Sequence, residues 1–304
     1  MVFVVPAWLW ALFTITAAAA QTARNAMQRD LIDKIGMVGA THVRFIFALP
    51  FAILFLLVQW RVIGLDLPMP GLTTILWASG GFVAQTVATA LMLNAMRSRS
   101  FVVAIAFTKI EPIIIAIFGF VFLSETPSLT MAIAILIATS GVMILSWPSR
   151  NLAGAPKTLA DWMPALTGIG AGACFAASGT FYRGGILAMD TPSFVLASTT
   201  TLVLALAMQT CVIMIWLVLF DRPTLTNILG HWKQSLFAGF MGALASQFWF
   251  LGFAVTTAAK VKTLALIEVL FAQVVSGKIK QKTTPREYLG LGLIIGGIVL
   301  LLNG

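Results

Sequence analysis

The chain has 304 residues, of which 60% are hydrophobic and only 10% are charged. A water-soluble protein carries about 25% charged residues, so this composition excludes a soluble globular domain. The net charge of +9 is explained by basic loops beside a membrane. Because no basic run has aromatic residues interleaved within a polar segment, we expect the lipid bilayer, and no nucleic acid, as a partner.

The N-terminal segment "MVFVVPAWLWALFTITAAAAQTARN" has the apolar core of a secretory signal. A cleaved signal carries a basic region before that core, whereas here the basic residues Arg24, Arg29 and Lys34 follow it. We therefore predict that this segment is retained as the first membrane helix, with cleavage as the alternative.

Ten apolar segments follow one another along the chain, most of them close to the length of about 20 residues that a helix needs to cross a bilayer. Their predicted bounds are 4–22, 40–60, 72–95, 101–123, 130–147, 163–182, 192–219, 233–256, 261–277 and 287–302. Short polar loops are expected between them, the first over 23–39. The ninth segment is the weakest, because it is short and contains Glu268 and Gln273. If it did not insert, the chain would cross nine times.

The chain also contains an internal repeat. A connector at 149–162 separates two predicted halves, 1–148 and 163–304, and superposing 109–126 on 266–283 places Glu111 over Glu268. Because five is an odd number of crossings, two consecutive five-helix units insert with opposite orientation. The predicted fold is therefore an all-α integral membrane protein with ten transmembrane helices in two inverted five-helix repeats, with a binding site near the midplane where the halves meet.

The basic residues predict an orientation. The connectors after the odd-numbered spans hold most of them, namely Arg24, Arg29, Lys34, Arg97, Arg99, Arg150, Lys157, Arg222, Lys233, Lys278, Lys280, Lys282 and Arg286. The even-numbered connectors hold Arg61, Arg183, Lys260 and Lys262. The positive-inside rule then places the odd connectors in the cytoplasm and both termini outside. We predict a multi-pass protein of the bacterial inner membrane.

Three stretches resemble the EamA-type transporters of the drug/metabolite transporter superfamily. They are "THVRFIFALPFAILF" (41–55), "IEPIIIAIFGFVFLSETPS" (110–128) and "PREYLGLGLIIGGIVLL" (285–301). The resemblance covers nearly the whole chain, and it implies transport of small metabolites, often efflux, without an ATP-binding part. The second half departs from the family pattern, with Val269 in place of the usual proline and Lys282 near the place of a usual glutamate.

The fourth helix of each half carries the strongest candidate residues. Glu111 and Glu268 are ionisable groups near the middle of apolar segments, where charge is costly and usually functional. We expect them to bind substrate or couple transport to protons, with a neutral or ion-paired structural role as the alternative. Lys109 points away from Glu111, so we expect it either to meet a carboxylate on another helix or to reach the lipid interface. Pro112 should kink the helix as a hinge or a plain packing feature.

The end of the first helix presents a polar stripe. Gln21, Arg24, Asn25 and Gln28 recur at helical spacing, so we expect them to face the protein interior or a vestibule. Arg24 and Arg44 are predicted near the cytoplasmic mouth, where a guanidinium can hold a carboxylate or phosphate. Contact with lipid headgroups is the alternative.

Neutral candidates lie in the third helix of each half and along the small-residue faces. Gln85 and Gln247 could contact substrate or form hydrogen bonds between helices. Gly172, Gly292 and Gly296 are predicted to allow close helix packing. No spacing typical of metal ligands or of a phosphate-binding loop is present, and no cofactor or metal is expected.

We conclude that the sequence predicts a secondary transporter for a small metabolite. The substrate is expected to resemble an amino acid or an organic acid, to move by alternating access, and to leave the cell, with proton coupling as an added hypothesis. A non-transporting membrane scaffold or sensor and, more remotely, a membrane-embedded enzyme are the alternatives. A homodimer is one option for the assembly.

Overall fold

The computed structural model describes residues 6–96, 107–146, 159–275 and 284–304, and within these residues the chain is helical. The helices are α1 Leu9–Ile46, α2 Ala48–Ile63, α3 Leu72–Met96, α4 Glu111–Leu123, α5 Leu129–Ser146, α6 Leu159–Leu187, α7 Phe194–Phe220, α8 Arg222–Gly230, α9 Trp232–Val255, α10 Ala258–Leu264, α11 Glu268–Val275 and α12 Pro285–Asn303. A single 3-10 turn, Ala265–Ile267, lies between α10 and α11. The basic residues Lys278, Lys280 and Lys282, and the predicted connector at 149–162 up to residue 158, lie outside the described residues.

Five helices in the described ranges are long and apolar enough to cross a membrane. They are His42–Ile63, which comprises the last turn of α1 and all of α2, and Leu72–Met92, Phe194–Phe220, Trp232–Val255 and Pro285–Asn303. Two shorter apolar helices cover Glu111–Leu123 and Leu129–Leu145. Large apolar side chains such as Val62, Val121 and Leu219 are exposed on their surfaces, as expected for residues that face lipid. The chain is therefore a multi-pass membrane protein, and its described residues contain helices and no strands. The count of ten crossings and the inverted orientation stay predictions.

The first predicted loop, 23–39, is wrong. This region is part of α1, which runs from Leu9 to Ile46 and is interrupted only at Gly36, where φ is 73° and ψ is 168°. The stretch before Gly36 is rich in charged and polar residues, yet Arg, Gln, Lys, Met and Leu are all good helix formers, so the apolar span ends there without the helix ending. Gly36 adopts the positive φ that a residue without a β-carbon allows.

The described chain forms two compact units that each draw on both halves of the sequence. Unit 1 comprises Met1–Phe82 and Phe181–Thr256, and unit 2 comprises Val83–Thr180 and Thr257–Gly304. The boundaries pass through α3 and α6. Each unit thus contains segments from before and after the central connector. The division of the sequence into the repeats 1–148 and 163–304 stays a prediction.

Unit 1 is built around the contact between α1 and α9. A β-carbon on Gly239 would lie 2.8 Å from the carbonyl oxygen of Phe47, so this glycine is what lets the two backbones approach. The rings of Phe51 and Phe240 pack edge to face with their centroids 5.2 Å apart. Because Phe51 lies on α2, this ring contact holds α9 against α2 as well as against α1.

Unit 2 is built around the contact between α5 and α12. A β-carbon on Gly141 would lie 2.7 Å from the carbonyl oxygen of Gly290, and one on Gly297 would lie 2.7 Å from the amide nitrogen of Ala138. Gly292 and Gly296 have no such neighbours within 4 Å, so the prediction that they form the close contact is wrong. They lie on the exposed face of α12. Which face of the helix contacts α5 depends on tertiary packing.

Candidate functional site

The backbone is interrupted immediately before Glu111. Phe107 and Thr108 are helical, Lys109 and Ile110 form a turn, and α4 begins at Glu111 with Pro112 in its first turn. Proline has no amide hydrogen and therefore cannot donate to the carbonyl of Thr108. The turn is closed instead by the amide of Ile110, which donates to the carbonyl of Phe107 at 3.3 Å. The predicted kink at Pro112 is confirmed, and it takes the form of a break between two helical segments.

The carbonyl of Thr108 is covered by α6. A β-carbon on Gly172 would lie 2.9 Å from that oxygen, so the prediction that Gly172 permits close packing is confirmed. Within unit 2 the break is thus fixed from two sides, by the ring of Pro112 on its own segment and by the glycine of α6.

A matching interruption precedes Glu268. Here α10 ends at Leu264, the 3-10 turn occupies Ala265–Ile267, and α11 begins at Glu268. Val269 stands where the first half has Pro112, so this interruption forms without a proline. In both halves the glutamate is therefore the first residue of a helical segment that follows a break.

Two ion pairs connect these segments. The Lys109 ammonium pairs with the carboxylate of Glu268, and Nζ of Lys262 lies 3.0 Å from Oε1 of Glu111. Each of the four side chains is about one-fifth to one-quarter exposed, between 19% and 25%. Each pair joins a residue of the first half of the sequence to a residue of the second. Of the two predicted alternatives for Lys109, a carboxylate on another helix is confirmed.

The four side chains form one electroneutral group, which we call the charge cluster and define as Lys109, Glu111, Lys262 and Glu268. Lys109 and Glu111 are two residues apart on the same segment, so the two pairs are neighbours. A lone charge in a membrane segment is expensive, and pairing reduces that cost. In the charge cluster, four residues from three helices and a turn therefore balance one another's charge among apolar helices.

In unit 1 the polar stripe of α1 faces the protein for part of its length. Arg24 is only 5% exposed, and its Nη2 donates to Oδ1 of Asn25 at 2.9 Å. Oε1 of Gln21 accepts from the indole nitrogen of Trp249 on α9 at 3.2 Å. The inward orientation predicted for Gln21 and Arg24 is confirmed. For Asn25 the prediction of an interior position is wrong, because its side chain is exposed at the edge of the stripe. The side chain of Gln28 lies outside the described part of the chain.

Arg24 and Arg44 are brought to the same part of α9. A β-carbon on Gly242 would lie 3.4 Å from Cδ of Arg24 and 3.6 Å from the carbonyl oxygen of Arg44. The guanidinium carbon of Arg44 lies 5.0 Å from the centroid of the Phe45 ring. Gly242 thus makes room for two arginine-bearing segments of α1. The contact of Arg44 is made by its backbone, so a shared region of positive charge stays a prediction.

Gln247 belongs to a hydrogen-bonded chain between helices. Its Nε2 donates to Oγ1 of Thr199 on α7 at 2.7 Å, and that hydroxyl donates to Oε1 of Gln59 on α2 at 2.5 Å. We call these three residues the amide network. The alternative of interhelical hydrogen bonding is confirmed for Gln247. Gln85 lies half-buried on α3, and its role stays a prediction.

Lys262, Gln59 and Thr199 are site residues that the sequence pattern does not single out. In the sequence Lys262 counts only as one of the basic residues of a connector, beside the weak ninth span. Neither it nor Lys109 forms a local helical pair with the glutamate it contacts, since both partners come from the other half of the chain. The one available signal was the unusual presence of a lysine close to an intramembrane glutamate.

The sequence matches one protein-family model, and the fold matches solved structures. The model of the EamA-like transporter family matches residues 8–147 and 162–303. No curated protein matches this sequence. One crystal structure of a protein superposes with a TM-score of 0.68 over 96% of this chain and 97% of the other, at 15% sequence identity. At that identity the likeness concerns the fold alone.

The family match covers both halves and nearly the whole chain, and the apolar helices are those of a membrane protein. The two matched segments each contain one of the glutamates that begin a helix after a break. The chain belongs to the EamA-like transporter family and is a membrane transporter of the drug/metabolite transporter superfamily.

Proposed function

We propose that this protein is a secondary transporter that moves a small metabolite, resembling an amino acid or an organic acid, out of the cell across the bacterial inner membrane by alternating access. The observation that carries the proposal is the charge cluster, in which Lys109–Glu268 and Lys262–Glu111 join the two halves of the sequence. Charged residues within membrane-spanning segments usually serve a substrate or ion path, and we propose that these four residues do so.

The broken helices support the same proposal. Secondary transporters commonly place discontinuous helices at the binding site, where free backbone groups and helix ends meet polar ligands. In this chain both interruptions, at Lys109–Ile110 and at Ala265–Ile267, lead directly into a glutamate. A substrate with a charged group would find both signs of charge here.

Arg24 and Arg44 supply a second candidate region, in unit 1. A guanidinium offers paired donors to a carboxylate or phosphate, and Arg24 is held by Asn25 in a buried position. We propose that this region attracts the anionic group of the substrate, with Gln21 and Gln85 as neutral contacts.

The test is untargeted metabolite profiling inside and outside cells that express matched amounts of wild type or Glu111→Gln. We expect a small set of metabolites to move outward with wild type and at least tenfold less with the variant, because Lys262 loses its partner. The matched control is Asp66→Asn, which removes the same charge from an exposed loop and should behave as wild type.

Two outcomes would contradict parts of the proposal. Equal shifts with wild type and Glu111→Gln would leave a transporter in which Glu111 has no part in transport. No movement by wild type, including after amino acids and organic acids are supplied, would favour a non-transporting scaffold or sensor.

Orientation and coupling are proposals with their own tests. A reporter active only outside the cytoplasm, fused after Gly304, should be active if the C-terminus faces outward. Proton coupling predicts that export slows when the proton gradient is collapsed by an ionophore, and an unchanged rate would exclude it.

A further inference from the structure

We infer that Lys262 is a positioning residue of the proposed transport site. The charge cluster acts through the charge balance of its two ion pairs, so exchanging the lysine and the glutamate within a pair should preserve its function. The inference rests on the proposed function and deepens it. It adds a residue on α10 that the family match does not single out. It also means that Glu111 acts as the partner of Lys262 and not as an isolated carboxyl group.

The geometry places Lys262 and Glu111 opposite each other. Nζ of Lys262 is 3.0 Å from Oε1 of Glu111, and the two side chains are 21% and 20% exposed. Lys262 lies on the last turn of α10, ahead of the 3-10 turn, while Glu111 begins α4 after its own break. The pair therefore ties together the two interrupted segments of unit 2.

The second pair repeats this arrangement in the reverse sense. Lys109 comes from the first half and contacts Glu268 of the second, whereas Lys262 comes from the second half and contacts Glu111 of the first. Each break thus provides one lysine and one glutamate. This is the arrangement expected if transport depends on the charge balance of the cluster and not on a carboxyl group at one particular position.

Charge balance also explains why Lys262 should matter for function. Removing one charge leaves its partner uncompensated within a membrane segment, which is unfavourable. The uncompensated group can then move to a new partner or shift the helix that carries it. Loss of Lys262 is therefore expected to displace Glu111 and α4, although Lys262 need not touch the substrate.

The experiment is a charge-exchange series in the full-length protein. It compares Lys262→Gln, Glu111→Gln, the double neutral variant, and the exchanged variant that combines Lys262→Glu with Glu111→Lys. The control is Lys260→Gln, which removes a lysine two residues away on the same helix. Two quantities are measured, the melting temperature in detergent and the KM and maximal rate for the metabolite found by profiling.

We expect each single variant to lower the melting temperature and to reduce transport roughly tenfold or more, the scale of a lost charge partner. In folded protein, Lys262→Gln should raise KM, whereas a purely structural role would reduce only the amount of folded carrier. The double neutral variant should regain most of the melting temperature. The exchanged variant should also regain transport to within about threefold, and Lys260→Gln should match wild type.

Two results would overturn the inference. The first is an exchanged variant that melts like wild type but does not transport, which would show that the carboxyl at position 111 acts directly on substrate or protons. The second is a double neutral variant whose destabilisation equals the sum of the singles, which would show no pairing. If wild type transports nothing, the proposed function fails, while the melting temperatures still decide whether the ion pair exists.

Discussion

The amide network of unit 1 and the charge cluster of unit 2 both place polar side chains among apolar helices, but they differ in chemistry. Gln247, Thr199 and Gln59 are neutral and are joined by two hydrogen bonds. The cluster holds four full charges in two ion pairs. A neutral network adds only about 0.6 kcal/mol per hydrogen bond in a membrane, whereas an uncompensated charge costs about 2.5–3.5 kcal/mol.

This difference indicates separate roles. A neutral network of that strength is suited to joining helices, since each hydrogen bond adds little stability and its removal should be tolerated. A charged cluster is retained against a larger cost, which is easier to understand if the charges serve transport. The following predictions test whether the two regions really differ, beginning with the largest effect.

The largest effect should fall on both units equally, because each depends on a glycine where two helices meet. Gly239→Val and Gly141→Val should each abolish the monodisperse folded protein, since a β-carbon would meet the backbone of Phe47 or Gly290. Such overpacking costs several kcal/mol when backbone must move, at or above the usual range of about 1–3 kcal/mol. Size-exclusion chromatography in detergent measures the outcome.

Gly292→Val is the matched control, because Gly292 has no neighbouring atom within 4 Å of a β-carbon. It should elute and melt like wild type. If Gly239→Val folded normally while Gly141→Val did not, the two units would differ in packing as well as in polar chemistry.

The second effect should be confined to unit 2. Lys262→Met leaves Glu111 without the ammonium that lies 3.0 Å away, and we expect a loss of about 1–3 kcal/mol, below the range for a fully buried pair because the side chains are partly exposed. The melting temperature in detergent measures it. The control Lys260→Met should change the melting temperature little. If Lys262→Met were as stable as this control, the charge cluster and the amide network would no longer differ in their effect on stability.

The third effect belongs to unit 1 and should be smaller. Thr199→Val removes both hydrogen bonds of the amide network, and we expect a loss of about 1 kcal/mol with transport retained. Thr167→Val is the control, because its hydroxyl bonds only the carbonyl of Met163 within the same helix. Abolished transport in a well-folded Thr199→Val protein would place the amide network in the transport path.

The smallest effect on stability should come from the break itself. Pro112→Ala restores an amide hydrogen, but the packing of Thr108 against Gly172 keeps the segment in place, so we expect a change within about 0.5 kcal/mol. Transport should slow if the break is a hinge. Pro285→Ala, in the first turn of α12, is the control and should affect neither quantity. Equal transport by both variants would reduce Pro112 to a packing feature.

Much of the site could be predicted because its signals are local. The two glutamates stand out in apolar segments, Pro112 marks a break by the geometry of its own ring, and the spacing of Lys109 from Glu111 shows that they do not pair. The partner of Lys109 could not be chosen, since Glu268 is distant in sequence. Lys262 was missed for the same reason.

A helical membrane protein with a repeated, glutamate-bearing helix can be predicted from the sequence, because a bilayer requires long apolar segments whose backbone hydrogen bonds are internal. Three features depend on tertiary packing: α1 continues past its apolar span, Gly290 and Gly297 form the contact of α12 in place of Gly292 and Gly296, and Lys262 pairs with Glu111. Those features depend on how each helix is rotated against its neighbours, and that rotation is set by the packing of distant segments together.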